Sequence, residues 1–475
     1  MKNLIAFVSF VAVASSFVCP ARAGAQEWSR FRGPNGSGSS ESSALPESFG
    51  PEENLRWRTP LVAGHSSPVL GEGTVFLTGA DENGLVCLCL ERDTGKVRWE
   101  RRLERARKQE IYPANGSATP SPTTDGRNVY AFFPELGLIS FDEQGKERWR
   151  LPLGPFVSFY GMAGSPILAG STLVLLCDQQ RDSFLLAVDA ATGKERWRTA
   201  RTGLIESWTT PVLFPAAKPE AVLVLGTFFA CAYALDTGKE LWRQGSVGYT
   251  PVCSPVLWER PEGALLFASV PFHAEGGAMP SFESLSVADK DQDGKLARAE
   301  LSGSDVAYME EHFGWADANR DDFIDAAEWN FIADGMSSRD YGLVALQITA
   351  KEAKELWRHK RGLPAIATPL LHDGVLYLVK GGGMLTTLDA ASGKELGFLR
   401  LEHAAGEYDA SPVAASGKVI VASQEGGVTV LAAGPEPKVL HHCDLGEPIH
   451  ATPAIGGGAL YVRTDAALYC FAAKD

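Results

Sequence analysis

The sequence predicts an all-β fold, an eight-bladed β-propeller with a small α-helical insertion, and three observations predict it. A Ser-Pro or Thr-Pro step followed by a short apolar run recurs at Pro68, Pro122, Pro166, Pro211, Pro255, Pro369, Pro412 and Pro453. The intervals are 54, 44, 45, 44, 114, 43 and 41 residues, and a period in the forties built from strands and turns is that of propeller blades. The single long interval is about 70 residues in excess, so one blade carries an inserted module.

From the N-terminus, residues 1–25 read as a secretory signal. Lys2 supplies the positive end, residues 4–18 are apolar, and small residues place cleavage near Ala23 or Ala25. The protein is therefore expected to be exported, periplasmic or extracellular. That apolar run is too short to span a bilayer, and no later segment approaches the needed length. Residues 26–53 form a leader whose part from 37 to 50, rich in Ser, Gly and Glu, predicts a loosely ordered linker. Propeller blades are expected over 54–270 and 341–475, with the insertion at 271–340.

The third copy shows the blade pattern most clearly. Residues 165–168 open strand A, 172–176 read as strand B and 184–188 as strand C. The turn Asp189-Ala190-Ala191-Thr192-Gly193-Lys194 then leads to Trp197 on strand D. The same turn-to-Trp spacing recurs at Trp99, Trp149, Trp242 and Trp357, predicting a large aromatic laid between neighbouring blades. Later copies decay, with Phe398 as the expected aromatic of the sixth and none near Leu440 in the seventh. The eighth copy runs out at Asp475 before any strand D, while Leu55-Arg56-Trp57-Arg58 is a strand D without a blade. The N-terminal strand is thus expected to complete the last blade and remove the open edge.

The insertion is acidic in an ordered way. Residues 272–340 hold 16 Asp and Glu against 5 Lys and Arg, so they carry most of the chain's formal charge of −14. Asp289, Asp291, Asp293, the Lys295 carbonyl and Glu300 stand at EF-hand ligand positions, with Gly294 at the sharp turn. A second loop offers Asp317, Asn319, Asp321, the Phe323 carbonyl, Asp325 and Glu328, with Asp322 where glycine is usual. Helical spacing of apolar residues over 281–288, 305–316 and 326–336 predicts the flanking helices. Calcium is the expected ion. The negative balance argues against nucleic acid as a partner.

The turn-to-Trp units and the Ser/Thr-Pro strand starts resemble the quinoprotein-type propeller repeat. Pyrroloquinoline quinone (PQQ) dehydrogenases share that repeat with non-enzymatic outer-membrane assembly scaffolds. The leader Trp28-Ser29-Arg30-Phe31-Arg32-Gly33-Pro34-Asn35-Gly36 is similar to one found before secreted propellers of this kind. The enzymes of the family typically place their quinone beside an adjacent cysteine pair, which this chain lacks, so PQQ is possible but without its expected site residues.

The D–A loops should converge on one mouth of the central channel. Two residues before the Ser or Thr of the strand starts stand His65, Trp208, Asp409 and His450, candidates for a small-molecule or metal site. No catalytic residue set is identified. The expected function is that of a secreted calcium-binding propeller acting as a binding or scaffold protein for a protein or carbohydrate partner. The alternative is a PQQ-dependent oxidoreductase or another channel-mouth enzyme.

Overall fold

The computed structural model describes residues 28–41, 45–109, 112, 115–271, 280–304, 306–310, 313–317, 321–337, 340–402 and 406–473. The expected signal, the first two leader residues, Asp305 and Asn319 lie outside them. Eight four-stranded antiparallel sheets form the blades of a propeller. In the third blade strand A is Ile167–Ala169, B is Thr172–Cys177, C is Phe184–Asp189 and D is Glu195–Ala200. Strands B and C are apolar apart from Thr172 and Asp189 at their ends because both faces pack on neighbouring blades, whereas strand D alternates and buries Trp197 between exposed neighbours.

The eighth sheet is built from Ala454–Gly456, Ala459–Arg463, Ala467–Ala472 and, last, Leu55–Pro60 from the other end of the chain. Trp57 lies opposite Cys470 and Arg58 opposite Tyr469 in that pairing. Zipping the two ends into one sheet closes the ring and leaves no free edge between first and last blades.

A repeated lock joins the blades. The indole N–H of Trp57 donates to the Arg92 carbonyl at 3.0 Å, Trp99 to Glu143 at 3.0 Å, Trp149 to Ala190 at 2.9 Å and Trp197 to Leu235 at 3.0 Å. Trp242 and Trp357 do the same to Thr349 and Ala391. Each acceptor lies in the C–D turn of the next blade. A β-bulge one residue before each Trp aims the ring at that turn. In the sixth blade the bulge places Gly397, not Phe398, at this position. Phe398 is 60% exposed, which corrects the expectation that it packs there. In the seventh blade the position belongs to His441, so an aromatic ring stands where none was expected.

The leader is the largest correction. Residues 28–41 run across the channel and pair with innermost strands of several blades, and the stretch expected to be a loose linker, 37–50, takes part in this through Gly38 and Ser40. The Leu70 N–H donates to the Trp28 carbonyl, the Thr124 N–H to Ser29 and the Ala414 N–H to Gly38, all at 2.8–2.9 Å. Asn35 exchanges two hydrogen bonds with the Leu213 backbone, and the buried Arg32 guanidinium donates to the Thr368 and Pro369 carbonyls at 2.9 and 3.0 Å. The A strands line the channel with an unpaired edge, and the leader supplies the missing partners. Farther on, Phe49 is buried against Phe471 and His441. In the eighth blade strand D precedes strands A to C in the chain, so no C–D turn joins them, and Phe49 fills that place. Composition suggested disorder, but polar leader residues are consumed by backbone groups that only a closed ring presents.

The insertion leaves between strand B (Ala264–Val270) and strand C (Gly342–Ile348) of the fifth blade. It has its own core of Leu285, Leu296, Leu301, Met309, Phe313, Ile324, Trp329 and Ile332. A two-residue ribbon pairs Leu296 with Ile324 and Ala297 with Phe323. Among the described residues the longest helix is Ala326–Ser337, and the span expected to be helical from 305 to 316 holds a 3-10 turn, Ala307–Met309, and a short helix, Phe313–Ala316.

A candidate binding cup and two acidic loops

The Ser and Thr residues of the eight strand starts form a closed circle of hydrogen bonds. The Ser67 N–H donates to the Ser121 hydroxyl, Ser121 to Ser165, Ser165 to Thr210 and Thr210 to Ser254, at 2.9–3.0 Å. Ser254 continues to Thr368, Thr368 to Ser411 and Ser411 to Thr452, and Thr452 returns to Ser67 at 3.0 Å. The motif needs a short hydroxyl at each position to accept from its neighbour. Proline next in sequence has no N–H of its own to satisfy. Each hydroxyl oxygen is occupied as an acceptor, while its hydrogen has no acceptor among the described residues.

This belt lines a cavity of about 560 Å³ at the mouth formed by the D–A loops, with Phe31 of the leader also in its lining. The wall above the belt comes from the residues two positions earlier: His65, Thr119, Ala163, Trp208, Val252, Ile366, Asp409 and His450. Thr119 takes the second blade's place, which the irregular spacing around Asn115 concealed. Tyr112, Tyr160 and Tyr249 add an aromatic rim. Tyr160 stands edge-on to Trp208 with ring centroids 5.3 Å apart, and Tyr112 to Tyr160 at 5.2 Å. The Trp208 N–H is spent on the Gly161 carbonyl at 2.8 Å, which fixes its ring. No lysine or arginine is among the lining residues.

His65, Asp409 and His450 do meet, and Asp465 joins them. The two imidazoles stack with centroids 4.3 Å apart. His450 Nδ1 lies 2.7 Å from Asp409 Oδ2, which also accepts from Gln424 Nε2 at 2.8 Å. His450 Nε2 faces Asp465 Oδ1 at 3.9 Å. Burial, with the neighbouring His450, pushes His65 down to about 4, so its ring is neutral at ordinary pH. The hydrogen bond to Asp409 raises His450. Burial works to raise Asp409, but its bonds to His450 and Gln424 outweigh that and hold it below the usual carboxylate range. Asp465 sits in a B–C loop outside the repeat's strand-start motif, so its place at the mouth had no signal in the sequence.

In the insertion, ligand oxygens of Asp289, Asp291 and Asp293 lie within 4.8 Å of one another, as do those of Asp317, Asp321 and Glu328. Asp289 Oδ1 is buried with no hydrogen-bond partner, while its other oxygen accepts from the Gly294 N–H at 3.0 Å. Glu300 accepts from the Lys290 and Ala297 N–H groups, both at 2.8 Å, and Glu328 from Asp325 at 3.1 Å. Asp322 takes a φ of 65° at the glycine place of the second loop. The Lys295 amine reaches across to Asp321 at 2.9 Å, a link between the loops that the ligand pattern did not anticipate.

The insertion touches the disc beside the cup. Phe331 packs edge-on to Phe228 at 5.6 Å, and Phe228 in turn meets Tyr249 of the rim at 5.6 Å.

The family described as outer membrane protein assembly factor BamB matches residues 51–200, 181–260 and 333–434. Among solved structures, the chain is similar to BamB from Moraxella catarrhalis, with 13% identity, a TM-score of 0.55, and 88% of this chain and 98% of that one covered. A europium-containing methanol dehydrogenase superposes with a TM-score of 0.61 at 11% identity, covering 95% of this chain and 99% of that one. The quinohemoprotein alcohol dehydrogenase from Comamonas testosteroni gives 0.59 at 11% identity, with 96% and 82% covered. At these identities the structures share the fold alone. No curated protein matches the chain in sequence.

Proposed function

This chain belongs to the family of the outer membrane protein assembly factor BamB, and from that membership we propose that it is an exported, calcium-binding scaffold whose cup receives a hydroxyl-rich ligand, a saccharide. The observation that carries the reading is the belt of eight hydroxyls, with hydrogens left to donate, beneath Trp208 and an aromatic rim, in a lining free of lysine and arginine. Sugar oxygens accept from such donors, and sugar C–H faces stack on rings such as Trp208 and Tyr160. A second reading, a protein partner, draws on the family and on the exposed Tyr112, Phe159 and Tyr160 at the rim.

The residues speak against PQQ in this cup. That cofactor carries three carboxylates, and the lining supplies no lysine or arginine to balance them. The chain also has no adjacent cysteine pair. We derive no oxidation step from it.

Residues 271–340 are read as an EF-hand pair between the two propeller segments, 54–270 and 341–475. Asp289, Asp291, Asp293, the Lys295 carbonyl and Glu300 would hold one calcium ion. Asp317, Asn319, Asp321, the Phe323 carbonyl, Asp325 and Glu328 would hold the other. The orphaned Asp289 oxygen and the pairing of the loops support this. Sites of this class outside cells bind at about 10⁻⁴–10⁻³ M, suited to permanent filling and a structural role.

The test is a glycan array with the mature protein, followed by calorimetry of any sugar bound. Trp208→Ala is expected to lower affinity at least about tenfold through lost stacking. Binding of exported proteins, but of no glycan, would replace the first reading with the second.

A further inference from the structure

We infer that His65, His450 and Asp465 form a transition-metal site at the edge of the cup, with zinc the best-matched ion. Their ligand atoms already lie within 4.8 Å of one another, although the residues come from three separate loops. Zinc takes imidazole nitrogen and carboxylate oxygen at about 2.0–2.2 Å, which puts tetrahedral donors roughly 3.3–3.6 Å apart, so the three donors share one ion after closing by up to about 1.5 Å with a turn of the stacked rings. Two imidazoles also distinguish the site from the all-oxygen loops of the insertion, because nitrogen donors favour zinc over calcium.

The surroundings of His450 match a metal-binding histidine. Asp409 engages Nδ1 at 2.7 Å and is itself held by Gln424. That bond commits the Nδ1 side of the ring and turns Nε2 toward Asp465 and His65, the carboxylate–histidine–metal arrangement found behind zinc ligands. Asp409 is therefore a positioning residue, and Asp465 the carboxylate donor. Arg463, a buried cation beside these residues, spends its two terminal nitrogens on Ser66 and the Thr78 and Val62 carbonyls and makes no ion pair with Asp465 among the described residues.

Three protein donors leave a fourth position, and both histidines line the cavity. The open position faces the cup, where water or an oxygen donor of a bound ligand completes the shell. This assignment is independent of the saccharide reading, since it concerns the ion alone.

Cobalt titration of the calcium-loaded mature protein tests it, because tetrahedral or five-coordinate cobalt absorbs visibly and zinc displaces it. One equivalent is expected to give the band. His450→Ala and His65→Ala should abolish it, and Asp465→Asn should weaken binding at least about tenfold. Asp409→Asn should weaken it by about 10–100-fold while keeping the band shape. Glu300→Gln should leave the band unchanged. The inference is overturned if no band forms, or if the band survives both His65→Ala and Asp465→Asn in variants that unfold at the parent's temperature. A band lost in Glu300→Gln but kept in His450→Ala overturns it as well.

Discussion

Gly238 shows how one residue serves two constraints at once. Its φ of 71° is one that L side chains reach reluctantly. A Cβ added there would stand 2.4 Å from the Trp197 ring of the preceding blade. The turn requires glycine, and so does the indole laid across it. Gly238→Ala is expected to destabilise the protein by about 2–4 kcal/mol, combining backbone strain with overpacking. Trp197→Ala is expected to cost about 3–5 kcal/mol. Once Trp197 is gone, Gly238→Ala should lose the clash with the ring and keep the strain of about 1–2 kcal/mol together with the close approach of that Cβ to the Thr199 hydroxyl, at 2.5 Å. Urea unfolding of the two single variants and the double variant measures this, and additive losses would show that the ring and the turn act separately.

At the scale of elements, the leader is the segment whose sequence and structure disagree most. Residues 37–50 read as a loose linker from their serines and glycines, yet Gly38 and Ser40 pair with Ala414 and Phe49 is buried; upstream, Trp28 and Arg32 are fully buried. Arg32 donates to carbonyls of the sixth blade while its own backbone carbonyl accepts from Gly38. Removing the guanidinium leaves buried carbonyls without donors, so Arg32→Met should cost about 2 kcal/mol or more. Thermal unfolding reads the loss directly, and an unchanged transition would mean that solvent reaches these carbonyls. The blade strands, by contrast, were legible almost to the residue. Their B and C strands are continuous apolar runs bounded by turn residues, a local signal that needs no partner to be recognised. The decayed copies were less so, because Gly397 and His441 take the Trp place through a bulge that spacing alone reveals only once register is known.

For the whole molecule, the insertion and the disc have separate cores, and each should respond to calcium in its own way. If the acidic loops hold calcium, a chelator leaves like charges facing one another in the insertion and spares the blades. Hydrogen exchange should then accelerate over residues 280–337, with the blade strands unchanged and a smaller effect at Phe228 and Tyr249, which the insertion touches. Equal protection with and without chelator would remove calcium from the account. The cup is also a property of the whole ring. The hydroxyl belt exists only because Thr452 reaches Ser67 across the closure, and the histidine pair is assembled at the same seam.

Periodicity and turn chemistry were enough to specify blade number and the way the ring closes, because each is written in residues close together along the chain. Which residues share the mouth depended on closure. Asp465 rather than Asp409 faces the free side of His450, Thr119 fills the irregular copy, and the leader seals the channel against strand edges contributed by distant blades. Such neighbours are set by the geometry of eight sheets around an axis, and no local pattern encodes that distance.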